Sequence, residues 1–186
     1  PKADIKRSRV RAGDKIIISG NVASHGMAIM SVRQGLEFES DIVSDTTNLN
    51  HCVMRLLDLF GEKIHLLSDP TRGGVATVLN ELARSAKIGI ELQQKAIPVL
   101  DDVNGACELL GLDPLYVANE GIFIAVVAAE AADSFLESLQ SEETGINAAI
   151  IGEIVESHPR QVLMYSGIGG KRVVNMPVGE QLPRIC

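Results

Sequence analysis

Three stretches carry residue types that could do chemistry. The first is Met176-Pro-Val-Gly-Glu-Gln-Leu-Pro-Arg-Ile-Cys186, a short segment ending on a thiol. Pro177, Gly179 and Pro183 stop it from continuing as a helix, and the prolines remove donors that a strand ladder needs. It reads either as an extended, movable arm with a nucleophile at its tip or as a frayed terminus. The second is Ser68-Asp-Pro-Thr-Arg-Gly-Gly-Val75, between a strand pattern and a helix pattern. Pro70 biases Asp69 towards an extended backbone. Thr71 is placed to cap the helix, and Gly73 and Gly74 let the backbone approach another group closely. Such a helix start suits phosphate, with Arg72 as a bidentate partner and Asp69 holding a metal ion or orienting a water. It is not a Walker A loop, because no Gly-Lys-Ser/Thr follows. A well-made turn before a capped helix explains the same residues.

The third stretch is Tyr116-Val-Ala-Asn-Glu-Gly121, where Asn119 and Glu120 interrupt an apolar region beside a glycine. A carboxylate there is either a buried acid or base, or a residue at an exposed strand end. His25, in the first turn of a helix expected from Ser24, reads as a surface residue. His51, His65 and His158 lack metal-ligand spacing and read as structural.

The elements that would position these residues follow from periodicity. Strands are expected at 14–20, 64–68, 88–93, 115–119, 122–128, 148–155, 161–165 and 172–175. The two around Glu120 could be one strand bulged at Gly121. Helices are expected from Ser24 to about Gly35, from Asn48, over 75–86, over 99–110 and around 132–139. Cys52 falls on an apolar helical face with Leu49, Val53, Leu56, Leu57 and Phe60, and Cys107 on another with Val103, Ala106 and Leu110. Buried thiols of this kind are inert. Only Cys186 lies outside such a stripe. Strands and helices alternate, but the last strands read as a meander, so the expected class is α+β, a mixed sheet with packed helices and a flexible C-terminal tail.

The 186 residues suffice for a real core, and 46% hydrophobic with 22% charged residues is ordinary for a globular chain. A net charge of −7, no basic stripe, no Trp and only 3% aromatic residues argue against nucleic acid as the main partner. The longest apolar run, 122–129, is too short for a membrane span, and no signal-peptide layout opens the chain. Three cysteines without CxxC spacing indicate neither a zinc site nor a disulfide framework, which fits a reducing cytoplasm. The chain starts at Pro1 rather than Met, which suggests a piece of something longer.

Four segments in order, Asp69-Pro-Thr-Arg-Gly-Gly74, Glu108-Leu-Leu-Gly-Leu-Asp-Pro-Leu-Tyr-Val-Ala-Asn-Glu-Gly121, Ala149-Ile-Ile-Gly152 and Pro183-Arg-Ile-Cys186, resemble the HypE family of hydrogenase maturation proteins. That family lies within the superfamily of aminoimidazole ribonucleotide synthase and selenophosphate synthetase. It often carries Asp-His-Gly where this chain has Ser24-His25-Gly26. The resemblance implies residues 1–13 as an entry arm from a missing N-terminal ATP-binding domain, 14–175 as the C-terminal domain and 176–186 as a mobile tail. It implies ATP and Mg2+ as cofactors and a homodimer when full length. It also implies the carbamoyltransferase HypF and the HypC–HypD complex as partners. The implied reaction is ATP-dependent dehydration of a carboxamide on Cys186 to a thiocyanate, the source of hydrogenase cyanide ligands. Cys186, Glu120 and Asp69 would be the catalytic residues, with Thr71, Arg72, Gly73 and Gly74 binding the nucleotide. A fragment of this extent would be inactive alone. The alternatives are an ATP-dependent enzyme acting on a diffusible small molecule and a non-enzymatic partner-binding module.

Overall fold

A computed structural model describes residues 4–34 and 42–177. Within them the chain runs β1 (Lys15–Ile18), α1 (Ser24–Gln34), α2 (Asn50–Phe60), β2 (Ile64–Ser68), α3 (Gly74–Ala86) and β3 (Gly89–Gln93). It continues with α4 (Asp101–Leu110), β4 (Ile124–Val127), α5 (Ala132–Gln140), β5 (Ala149–Val155), β6 (Val162–Tyr165) and β7 (Lys171–Val173). The strands form one mixed sheet in the order β2-β4-β1-β5-β3-β6-β7. Every neighbouring pair is antiparallel except β3 with β6. The α+β expectation therefore holds.

The period-2 alternation of side chains explains how a continuous apolar strand serves two cores at once. Ile16 and Ile18 of β1 face α3, where Val75, Ala76, Leu79, Leu82 and Ala83 complete a buried cluster. Ile17 points to the opposite face, against Cys52 and Leu56 of α2 and Phe135 and Leu139 of α5. Strand β4 divides the same way, with Ile124 and Val126 on the α3 side and Ala125 and Val127 on the other. Phe60 and Phe135 lock α2 to α5 with ring centroids 5.2 Å apart. A third, smaller cluster joins Ala23 and Met27 to Val103, Ala106 and Cys107 of α4 and to Val117. That cluster seats the beginning of α1 beside the segment preceding Glu120.

Residues 4–13, expected as an entry arm, are docked on this domain. Val10 is buried, the Lys6 amide donates to the His65 carbonyl at 3.1 Å, and Arg9 donates to the carbonyls of Asp4 and Glu62. Below this arm the buried Asp14 carboxylate meets His65 Nδ1 at 2.7 Å and accepts the Arg11 amide at 2.9 Å. His65 is thus a structural residue, as its sequence context indicated.

Two expectations are corrected. Residues 115–119 form no strand, because Asp113 accepts the Leu115 amide and Pro114 starts a 3-10 turn over Pro114–Tyr116. The final strands form no meander, because β3 inserts between β5 and β6; only β6 and β7 are a hairpin. Pairing of that kind depends on contacts distant in sequence, which local periodicity does not encode.

Candidate functional site

Two of the three chemistry-bearing stretches, together with the entry to α1, are tied to one another by a single side chain, Asn119. It is fully buried. Its Oδ1 accepts the Ala23 amide at 2.7 Å, and its Nδ2 donates to the Pro70 carbonyl at 2.8 Å and to the Val117 carbonyl at 3.0 Å. Its own backbone amide also donates to Pro70. The entry to α1, the Asp69–Gly74 loop and the approach to Glu120 are thereby fixed to a single amide group. A buried amide with most of its hydrogen-bonding capacity used is a rigid node, since each bond would leave an orphaned polar group if broken. Its signal in the sequence was an Asn amid Tyr116, Val117 and Ala118; its partners were not readable there.

The start of α1 needs this node. Ala23 takes a left-handed backbone, φ 74°, and its amide is satisfied by Asn119 rather than by a neighbouring side chain. Ser24, expected as the N-cap, is the first residue inside the helix. Gly26 then packs so closely on the neighbouring segment that a Cβ would lie 2.4 Å from the Val117 side chain, and its amide donates to the Ala118 carbonyl.

The Asp69–Gly74 loop differs from expectation in its cap. Gly73, left-handed at φ 71°, is the N-cap of α3 without a side-chain hydrogen bond, and Thr71 contributes only its carbonyl, to the Gly74 amide. Thr71 is half-buried. Gly74 makes the close approach foreseen for the glycine pair, but to the protein itself. A Cβ there would sit 2.5 Å from the Leu115 carbonyl oxygen and 2.6 Å from that of Val117. With φ at 61° the position is also left-handed. Gly74→Ala should therefore cost about 1–3 kcal/mol of stability, from backbone strain and the displaced 115–117 segment. A lowered urea midpoint checks this, and an unchanged midpoint contradicts it.

Asp69 and Arg72 are both exposed at this loop. Among the described residues no group of three or more His, Cys, Asp or Glu side chains stands close enough to hold a metal ion. A single exposed carboxylate is nevertheless a fitting donor for Mg2+, which keeps most of its waters and completes its shell with substrate phosphate oxygens.

Glu120 is half-buried, next to the Asn119 node, and its amide donates to Asp45 Oδ1 at 3.2 Å. Burial pushes the Asp45 carboxyl above its ordinary value, against the amides of Glu120 and Gly121 and the His25 ring, which pull it down. His25 is half-buried here, not on the open surface, and its Nδ1 lies 2.9 Å from Ser44 Oγ. Asp45, Ser44 and His25 were not read as site residues. They lie in or against a polar connection that carries no periodic signal.

The root of the C-terminal tail also lies at this site. Asn80 donates to the Val174 carbonyl and Tyr116 Oη to the Asn175 carbonyl, at 2.9 and 3.0 Å. Pro177 then passes beside Gly73, where a Cβ would meet its ring at 3.3 Å. Cys186 and Gly179 to Arg184 lie outside the described residues. Counting from Pro177, nine further residues (186 − 177) reach Cys186. A fully extended chain of that length spans about 30 Å.

The other two thiols are buried, as expected. Burial raises both, Cys107 to about 11 with Asp113 and Glu108 adding to the effect. At pH 8 roughly one Cys107 in a thousand is then a thiolate. Alkylation of the native protein at that pH should leave Cys52 and Cys107 unmodified until denaturant is added. Rapid native labelling of either, read by peptide mass, would contradict their burial.

Among the described residues, no helix is long and apolar enough to cross a membrane. Residues 11–163 match the family model for the C-terminal domain of AIR synthase related proteins. The chain is 49% identical over 183 residues to the carbamoyl dehydratase HypE of Bradyrhizobium diazoefficiens, covering 98% of this chain and 53% of that protein. It is likewise similar to a HypE crystallised in complex with ATP, with TM-score 0.91 and 42% identity over 98% of this chain and 55% of the other. A HypE in a crystallised HypE–HypF complex gives TM-score 0.91 and 40% identity over 95% and 57%. The chain thus spans about half the length of the relatives it matches.

Proposed function

The chain belongs to the AIR synthase related proteins, as a C-terminal domain of that family, and from that premise we propose that it is the C-terminal part of an ATP-dependent carbamoyl dehydratase serving [NiFe]-hydrogenase maturation. The observation that carries the proposal is that the Asp69–Arg72 loop is tied by Asn119 to the segment bearing Glu120 and has the tail root passing beside it at Gly73. Support also comes from whole-chain likeness to HypE proteins, one crystallised with ATP and one with HypF.

The reaction begins with a carboxamide on Cys186 Sγ, placed there by HypF acting as a carbamoyltransferase. A thiolate suits this task because it accepts acyl groups readily and can later release the carbon it holds. The amide oxygen is a poor leaving group, and ATP supplies the phosphoryl group that makes it a good one. The carbon–oxygen bond breaks as phosphate departs, one N–H proton passes to Glu120 and the other to water, and the nitrogen lone pairs complete C≡N. The carboxamide oxygen leaves within phosphate, so the thiol adduct becomes lighter by one water.

This chain's own residues take the following roles. Glu120 accepts a proton from the carboxamide nitrogen, being the carboxylate held at the node. Arg72 offsets the charge of the phosphate, and Asp69 is the carboxylate for Mg2+. Thr71, Gly73 and Gly74 form the loop that receives the nucleotide phosphates, with Gly74 seated against the Leu115 and Val117 carbonyls. The reach of the tail from Pro177 lets one thiol visit HypF, the nucleotide cleft and a HypC–HypD acceptor in turn. The missing half of the protein, a partner in the ATP cleft and in a homodimer, is required for turnover, and the isolated domain is inactive. Maturation of this kind takes place in the cytoplasm.

The direct test is infrared spectroscopy of the carbamoylated full-length protein after ATP is added. A nitrile stretch that follows carbon label from the carboxamide supports the proposal. Nucleotide consumption with no nitrile at the thiol would instead favour an enzyme acting on a diffusible substrate.

A further inference from the structure

Residues 42–49 form no regular element, yet part of this connection is held tightly where it crosses Glu120 and Gly121. A Cβ on Gly121 would stand 1.6 Å from the Asp45 carbonyl oxygen and 3.1 Å from the Thr47 nitrogen, so the 45–47 backbone lies flush on that glycine. Asp45 Oδ1 receives the Glu120 amide. Ser44 Oγ lies 2.9 Å from His25 Nδ1 and 2.8 Å from Thr46 Oγ1, and it accepts the Thr46 amide. One end of the segment is therefore tied to the first turn of α1 and its middle to the backbone that carries Glu120. The second Asp45 oxygen, Oδ2, is buried without a hydrogen-bond partner. A buried acceptor left unmatched is unfavourable, so the position is costly to keep as an acid.

We propose that residues 44–47 are a strap that fixes the direction of the Glu120 side chain, with Asp45 as its positioning residue. The inference rests on the reading of Glu120 as the base. Its physical content is simple. The backbone sets the direction in which a side chain leaves its Cα, and here that backbone is held on one side by the buried Asn119 and on the other by the strap. Asp45 fixes the Glu120 amide, the bare Gly121 lets the strap seat, and Ser44 secures it through His25. Asp45 touches no reacting atom in this scheme; it acts through Glu120. The strap also gives Gly121 its role, since only glycine leaves space for the Asp45 carbonyl.

The test follows single-turnover dehydration of carbamoylated Cys186 in the full-length protein. Asp45→Ala should slow the step by roughly 10- to 100-fold, the size expected when a catalytic group is displaced by about an ångström, with the KM for ATP unchanged. Gly121→Ala should reproduce this, since its Cβ must push the Asp45 carbonyl away. Asp45→Asn retains an oxygen for the Glu120 amide and should recover most of the rate. In the decisive comparison, adding Asp45→Ala to Glu120→Gln should cost nothing further, because a residue that acts only by positioning the base has nothing to position once the base is gone. Additive losses, a lifeless Asp45→Asn, or a rise in the KM for ATP alone would overturn the strap while leaving Glu120 as the base. A Glu120→Gln protein that dehydrates at full rate would overturn both.

Discussion

Cys186→Ala in the full-length protein is expected to abolish acceptance of the carboxamide completely while leaving the melting temperature of the domain unchanged. The effect is all-or-none because no second thiol can substitute. Cys52 packs between α2 and α5, and Cys107 between α4 and α1, both raised by burial and held as thiols. Neither has a route to a partner enzyme without unfolding a core. The substitution removes a single sulfur atom from the terminal segment, so it should not register in global stability. Radiolabelled carbamoyl phosphate supplied with HypF reads the outcome. Label retained on the Cys186→Ala protein would place the acceptor elsewhere and break the link between tail and chemistry.

The second large effect is expected from Glu120→Gln. Glutamine keeps the size and hydrogen-bonding shape of glutamate but cannot accept a proton at neutral pH. Carbamoylation of Cys186 should proceed normally, since it takes place on the partner, whereas dehydration should slow on the order of 10²- to 10⁴-fold. The split between the two half-reactions is the diagnostic. A misfolded protein would lose both, and a protein impaired in nucleotide binding would recover at high ATP. Chemical quench of the carbamoylated protein separates the steps, and an unchanged dehydration rate removes Glu120 as the base.

Much of the fold was legible because its signals are local. The β-branched run at Ile16, Ile17 and Ile18, the helical spacing of Val75, Leu79 and Leu82, and the apolar faces bearing Cys52 and Cys107 each mark an element by repetition over a few residues. The errors arose where a distant partner or a single capping group decides. Leu115, Tyr116 and Val117 have strand-like composition, but Asp113 and Pro114 turn the chain. The insertion of β3 between β5 and β6 follows from packing of the whole sheet.

The site divides in the same way. Asp69, Arg72 and Glu120 stood out because charged residues beside glycine or proline are conspicuous. The groups that assemble them did not. Asn119 acts through bonds to Ala23 and Pro70, 96 and 49 residues away, and no spacing rule announces such contacts. Asp45 lies in a polar stretch where a carboxylate looks like ordinary solvated surface. Thr71 was a reasonable cap by type, but the left-handed Gly73 takes that place. The glycine pair was read as a point of close backbone approach, and Gly74 makes one with the 115–117 segment.

The central claim is that one thiol, Cys186, carries the substrate through the reaction. Intact mass of the full-length protein after incubation with HypF and carbamoyl phosphate, before and after ATP is admitted to its own site, tests it most directly. A carboxamide-sized adduct on the Cys186 peptide that becomes lighter by one water only when ATP is present is the predicted result. An unmodified tail, or an adduct whose mass ATP does not change, would contradict it.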